Sequence, residues 1–212
     1  MIKVISFDLD GTLIDINFDE LIWFEEIPKL YAEKYKLPIE KAKEKVFAEY
    51  HKEKGNLGWV DIDFWFDKFG LTEADKFLSD LKHNIKLFPE VKKSIFDLSK
   101  NYKLIIITRA SKKFMDLKLD VENLKDYFSD VFSTVHHFKT LKKDEEIYKK
   151  VIKKLDINPE EMAHIGDHLE FDFNIPRKLG INAYYLDREK SKHGDFIVHN
   201  LSEFAKKIME IK

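Results

Sequence analysis

The chain has 212 residues, 44% of them hydrophobic, which is enough for one large core with room for an insertion. Its 37 basic and 39 acidic residues are mixed along the chain and leave a formal charge of -2, so no broad basic field favours nucleic acid as a partner. There is no cysteine, which excludes disulfides, thiolate metal sites and a cysteine nucleophile. No apolar run approaches the length of about eighteen residues needed for a membrane span, and the N-terminus begins directly with a strand pattern, so no membrane partner and a cytoplasmic location are expected.

The apolar run Val4-Ile5 reads as a buried strand that closes in Phe7-Asp8-Leu9-Asp10-Gly11-Thr12-Leu13. From about residue 16 to 86 the pattern is helical. Leu21, Phe24, Ile27, Leu30 and Tyr31 recur at helical spacing, followed by Ile39, Ala42, Val46, Phe47 and Tyr50. Pro28 should kink the first helix or start its second half, and Gly55 to Gly58 mark a break before Phe64-Trp65-Phe66. Thr72 with Asp75 predicts a helix start.

After Pro89 helices and strands alternate. A helix over about 90–100 precedes Leu104-Ile105-Ile106-Ile107, a continuous apolar run that suits a strand buried on both faces of a parallel sheet. A helix with Ser111 as its cap leads to a strand at 131–134 and a helix over about 144–155. Strands at 163–165, 183–186 and 196–198 follow, and a last helix is opened by Asn200 with Glu203. The expected fold is α/β, a doubly wound, mainly parallel Rossmann-like sheet with an inserted small α-helical cap domain. Residues 1–15 and 87–212 form the core and 16–86 the cap.

Ligands of open parallel sheets bind beyond the carboxyl ends of the strands. Three strand ends here carry reactive groups: Asp8 and Asp10, then Thr108, then Asp167 with Asp172. Two unit charges about 4 Å apart repel by roughly 4 kcal/mol at an effective dielectric of 20, so such a cluster protonates or binds a cation. All-oxygen ligands without cysteine favour Mg2+ over zinc. An acidic Mg2+ site supplied with Thr and Lys suits a phosphate substrate.

The same residues resemble the motifs of the haloacid dehalogenase (HAD) superfamily. Asp8-Leu9-Asp10-Gly11-Thr12-Leu13 is similar to its first motif, and Ile105-Ile106-Ile107-Thr108 resembles its second. Lys142 resembles the third-motif lysine, within Lys142-Lys143-Asp144-Glu145-Glu146-Ile147-Tyr148, where Lys143 and Glu145 replace the usual prolines. Gly166-Asp167-His168-Leu169-Glu170-Phe171-Asp172 resembles the fourth. The resemblance implies that Asp8 is a nucleophile forming an aspartyl-phosphate, and that Asp10 protonates the leaving oxygen, then activates water, and lends its backbone carbonyl to the metal. It implies that Asp167 ligates Mg2+ beside Asp8, that Asp172 is a more distant partner steadying Lys142, and that Thr108 and Lys142 bind the phosphoryl oxygens. An acid at position 10 favours a phosphatase or phosphomutase over a dehalogenase or an ATPase.

Arg109 stands where Asn or Gly is commoner; it either reaches the phosphate or a substrate carboxylate, or faces solvent at a helix entrance. His168 is expected near the site as a hydrogen-bond partner, and His136-His137 as a surface pair ending the third strand. The insert falls where one branch of the superfamily carries a helical cap, which would exclude water and select a small substrate. Trp23 is a better pocket-lining candidate than Trp59, Phe64, Trp65 and Phe69, which also suit the core of a small helical domain. The expected activity is a Mg2+-dependent phosphatase acting on a small phosphorylated metabolite. A phosphomutase and a non-catalytic ligand-binding protein of the same fold are the alternatives, and monomer and homodimer both stay open.

Overall fold

The computed structural model describes residues 1–210; Ile211 and Lys212, which close the expected core segment 87–212, lie outside the described residues. Six strands form one sheet: β1 (Val4–Phe7), β2 (Lys103–Thr108), β3 (Asp130–Ser133), β4 (Met162–Gly166), β5 (Asn182–Leu186) and β6 (Ile197–Val198). Their order is β3-β2-β1-β4-β5-β6, and every neighbouring pair is parallel. The order reverses direction at β1, so the crevice between β1 and β4 is the topological switch point, where α/β sheets place their ligands.

The strand pleat divides the core in two. Ile5, Phe7, Leu104 and Ile106 point to one face, where helices Val91–Ser99 and Leu201–Glu210 cover them. Val4, Ile105, Ile107 and Phe132 point to the other, under helix Glu145–Leu155. Burial on both faces explains why residues 104–107 of β2 read as an unbroken apolar run and why β1 is interrupted only by the buried Ser6.

β3 ends one residue earlier than expected. The Ser133 hydroxyl donates to the Ala110 carbonyl (2.6 Å) and accepts from the His136 amide (3.0 Å), so it caps a short helix, Thr134–Phe138. His136 and His137 therefore lie in that helix and do not end a strand; the His137 Nδ1 accepts from the Ser133 amide at 2.9 Å.

Between β1 and β2 the residues form helices only, apart from two isolated bridges. Pro28 sits in the first α-helical turn of Ile27–Tyr35, where a π-helical turn, Leu21–Glu26, runs directly into the α-helix. Helix Ala74–Leu81 does not use Thr72 as its cap. Glu73 adopts a left-handed conformation (φ 63°) immediately before the helix, so Thr72 stands one position too early. The two ends of the inserted segment meet: the Asp15 amide donates to the Lys86 carbonyl (3.0 Å) and the Phe88 amide to the Leu13 carbonyl (3.2 Å). No helix among the described residues is long and apolar enough to cross a membrane.

The aromatic residues of the insert form its interior. Trp65 is fully buried, 4.6 Å from the Tyr50 ring and stacked on Phe69 at 5.3 Å, and its indole N–H donates to the Trp59 carbonyl. Trp65→Ala is expected to destabilise the protein by about 3–5 kcal/mol in urea unfolding, as large-to-small core substitutions do.

Candidate active site

Phe7 pairs in register with Ile106 of β2 and Ile165 of β4, so Asp8 emerges one residue past the sheet, between the ends of both neighbours. Asp167 follows Gly166, the last residue of β4, and Asp172 lies in a π-helical turn, Leu169–Asn174. One carboxylate oxygen from each of Asp8, Asp167 and Asp172 lies within 4.8 Å of the others. Two glycines make this crowding possible. A Cβ on Gly11 (φ 76°) would stand 2.3 Å from an Asp167 oxygen, and one on Gly166 would stand 2.4 Å from the Asp172 carboxyl carbon.

The cation in this cluster is Lys143. Its Nζ is 2.9 Å from Asp8 Oδ1 and 2.5 Å from Asp172 Oδ1, and its side chain is 1% exposed. Lys142, expected in this role, is exposed, and its backbone amide donates to the Thr140 hydroxyl. Asp144 explains the difference. It caps helix Glu145–Leu155 by accepting from the Glu146 and Ile147 amides; the chain entering the cap has no regular helix, and the side chain next to the cap is the one that turns inward. Asp172 accordingly holds Lys143, not Lys142.

Beneath this pair runs a fully buried polar chain. Tyr148 donates to the Phe171 carbonyl (2.8 Å), His164 Nε2 lies 3.0 Å from the Tyr148 hydroxyl and 3.2 Å from Asp172 Oδ1, and His164 Nδ1 lies 2.5 Å from Ser6 Oγ. With Tyr148 donating elsewhere, the proton of a neutral imidazole is assigned to Nε2, directed at Asp172, and Ser6 donates to Nδ1. Burial pushes His164 down to about 4, which keeps it neutral. Burial also raises Asp172, but Lys143 and the His164 hydrogen bond outweigh it and hold this carboxyl well below the usual range. For Asp8 the balance is opposite: burial, opposed by Lys143 and reinforced by the Asp172 and Asp167 charges, pushes it up to about 8. One ammonium does not neutralise three carboxylates.

The Asp10 carboxylate lies outside that group. Its Oδ1 is 2.5 Å from Nζ of Lys118, a fully buried lysine on helix Lys112–Asp120 that also bonds Asp19 of the insert. Neither Lys118 nor Asp19 is singled out by the sequence motifs. Lys118 stands four residues after Phe114 and so shares its buried face, the one local signal that it is not a surface lysine.

A cavity of about 480 Å3 opens above Asp8, Asp10 and Asp167. Thr108 lines it, buried, its hydroxyl accepting from the Ala110 amide (3.1 Å). Arg109 lines it too, exposed, with its guanidinium 4.9 Å from the centre of the Phe171 ring. His168 stacks on the same ring (4.1 Å), while its backbone amide donates to Asp172 Oδ2. Trp23 and Trp59 reach the cavity, whereas Phe64, Trp65 and Phe69 do not line it. Phe114 and Phe171 are aromatic walls that the sequence did not single out.

Carboxylates, a buried lysine and a cavity at the switch point of a 3-2-1-4-5-6 parallel sheet define an α/β enzyme of the doubly wound class. Residues 2–175 match the model of the haloacid dehalogenase-like hydrolases, and the chain belongs to that family. It is 26% identical over 226 residues to a glyceraldehyde 3-phosphate phosphatase from Pyrococcus furiosus, covering 95% of this chain and 91% of the relative. It is 24% identical over 172 residues to the GMP/IMP nucleotidase YrfG from Escherichia coli, covering 78% and 74%. Among solved structures, a HAD phosphatase from Thermococcus onnurineus superposes with a TM-score of 0.84 at 25% identity, covering 99% and 98% of the two chains. The HAD-hydrolase YfnB from Bacillus subtilis, solved bound to magnesium, has a TM-score of 0.70 over 99% of both chains; at 19% identity this is a likeness of fold.

The two adjacent lysines separate cleanly by stability. Lys143→Met strips the buried carboxylates of their cation and is expected to cost about 3–5 kcal/mol, whereas Lys142→Met should stay within about 0.5 kcal/mol of the parent in chemical denaturation.

Proposed function

We propose that this hydrolase is a Mg2+-dependent phosphatase that hydrolyses a small phosphorylated metabolite through an aspartyl-phosphate on Asp8, with residues 16–86 acting as a cap over the site. The observation that carries the reading is the placement of Asp8 against Lys143 at the floor of the cavity, with a second acid, Asp10, lining the same cavity two residues on. The relatives named as phosphatases and as a nucleotidase act on small phosphorylated compounds, in keeping with it.

The donor set fits the cation. Three carboxylates converge with a single ammonium among them, and burial, reinforced by the Asp172 and Asp167 charges against Lys143, leaves Asp8 raised to about 8. Hard oxygen donors with no sulfur or imidazole ligand suit Mg2+, the cation to which YfnB, a neighbour of this fold, is bound. Asp8 and Asp167 would hold it together with the Asp10 carbonyl, and Asp172 would steady Lys143 beside them. When bound, it offsets the charge of the phosphate dianion and helps orient it towards Asp8.

The protein groups then divide the work. An Asp8 oxygen attacks phosphorus, the bond to the ester oxygen breaks, and Asp10 gives its proton to that oxygen. Asp10 next takes a proton from water as the water oxygen attacks the aspartyl-phosphate, and phosphate leaves as Asp8 is regenerated. Lys143 replaces Lys142 as the lysine that binds the phosphoryl oxygens, along with the Thr108 hydroxyl. Arg109, at the cavity edge, is placed to meet a negative group of the substrate.

Turnover of a phosphoester panel spanning aryl, sugar and nucleoside monophosphates should require Mg2+ and fall at least about a thousandfold in Asp8→Asn. Metal-independent turnover that survives this substitution would overturn the reading. Metal binding also has a thermal signature. Folded Asp8 keeps a proton that the unfolded chain, with the ordinary value of 3.8, has already released. Its contribution to the stability of the metal-free protein is therefore full below pH 3.8 and is lost as pH rises towards 8. Mg2+ replaces that proton, so the rise in Tm on adding Mg2+ should be larger at pH 8 than at pH 5.

A further inference from the structure

We propose that Lys118 is a positioning residue for Asp10, holding its carboxyl in place for the leaving oxygen, and that Asp19 anchors Lys118 from the inserted segment. The inference rests on the phosphatase reading above and adds to it the part of the protein that sets the acid. Lys118 is fully buried, with its Nζ 2.5 Å from Asp10 Oδ1 and in contact with Asp19 Oδ2. The rings of Phe18 and Phe114 flank the ammonium at 5.9 and 5.4 Å. Three separate parts of the chain thus converge on one cation: the loop after β1, the first helix of the insert (Asn17–Glu20) and helix Lys112–Asp120.

The geometry suits orientation better than bulk stability. Asp10 and Asp19 are each about a quarter exposed, so the pair lies at the cavity wall and not inside the apolar core. A lysine locked by two carboxylates and two rings has little freedom, and it engages only one Asp10 oxygen. The other is left for the cavity, which Asp10 lines together with Asp8. A proton donor works through its distance to the proton acceptor, so a loose Asp10 would lose rate without losing substrate affinity. Asp19 makes that placement depend on the insert, which is the part of the chain that differs most in role from the catalytic strands.

The experiment exploits leaving-group chemistry. A 2,4-dinitrophenolate departs without a proton, whereas the alkoxide of glycerol phosphate does not. The readout is kcat/KM, which reports formation of the aspartyl-phosphate, measured for both esters with the Mg2+-loaded enzyme. Lys118→Met should lose about ten- to a hundredfold on glycerol phosphate and less than about threefold on 2,4-dinitrophenyl phosphate. Inhibition by inorganic phosphate should be unchanged, Lys118→Arg should recover part of the loss, and combining Lys118→Met with Asp10→Asn should add nothing to Asp10→Asn alone. Equal losses on both esters, or additivity with Asp10→Asn, would overturn the proposal. If Lys118→Met does not fold, Asp19→Ala decides, because it keeps the Lys118–Asp10 pair and removes only the anchor; the same selectivity between esters is expected at smaller size, and uniform loss refutes the idea. Asp8→Asn separates the two levels: its retained turnover would sink the phosphatase reading itself, whereas a dead Asp8→Asn beside unselective Lys118 variants sinks only the role of Lys118.

Discussion

Lys143, shut between Asp8 and Asp172, is the interaction on which the rest of the site depends. Three carboxylates converge at the switch point of the sheet, and without an internal cation they would have to protonate or move apart. A single lysine settles only part of this. It holds Asp172 ionised and leaves Asp8 raised, an asymmetry that places a strongly anchored carboxylate beneath and an under-compensated one at the cavity. The His164, Tyr148 and Ser6 chain serves the same end from below, since each of its side chains is itself buried and partnered. Asp172 can then give its charge to Lys143 without swinging towards Asp167.

Backbone devices make this crowding tolerable. Gly11 and Gly166 supply room that a Cβ would take from Asp167 and Asp172. Two π-helical turns border the same cavity: Leu21–Glu26 contributes Trp23, and Leu169–Asn174 contributes both Phe171 and Asp172. A π turn carries an extra residue per turn relative to an α-helix and is intrinsically unfavourable, so its appearance on both sides of one cavity marks positions where side-chain direction outweighs helix geometry.

Much of the fold was legible because the parallel sheet writes itself as apolar runs. β1, β2 and β4 are buried on both faces, and each ends in its polar residue, so Asp8, Thr108 and Asp167 could be located from pattern and motif together. The lysines were not legible in the same way. Lys142 and Lys143 are chemically identical neighbours, and it is Lys143, next to the cap at Asp144, that meets Asp8 and Asp172. Lys118 lies in a helix that also carries Lys112 and Lys113, both of them paired near the surface, and its partners are 108 and 99 residues away in sequence. Beyond its place on the buried face four residues after Phe114, a charge selected by contacts at that range leaves no local sign of its partners. The cap of helix Ala74–Leu81 was misread for a related reason: the Thr72–Asp75 spacing is right for a capping box, but a left-handed Glu73 moves the helix start, and backbone handedness at a non-glycine residue is not written in composition.

The insert and the strands are joined chemically as well as by chain connection. Trp23 of the insert stacks on Phe114 of the core at 5.4 Å, and Lys118 on the same helix face reaches Asp19 across that contact. The aromatic wall and the buried cation therefore share one seam, which runs along the cavity beside Asp10. Trp23 and Phe114 line the cavity, and through the Lys118 pair the same seam touches the Asp10 carboxyl. Side chains that line the cavity and the lysine that holds Asp10 are in this way packed as one unit. Lys143 and its buried support are built from other residues, Asp172, His164, Tyr148 and Ser6. The seam beside Asp10 thus includes Trp23 and Asp19 of the insert, whereas the charge balance around Asp8 is set by Lys143 and Asp172.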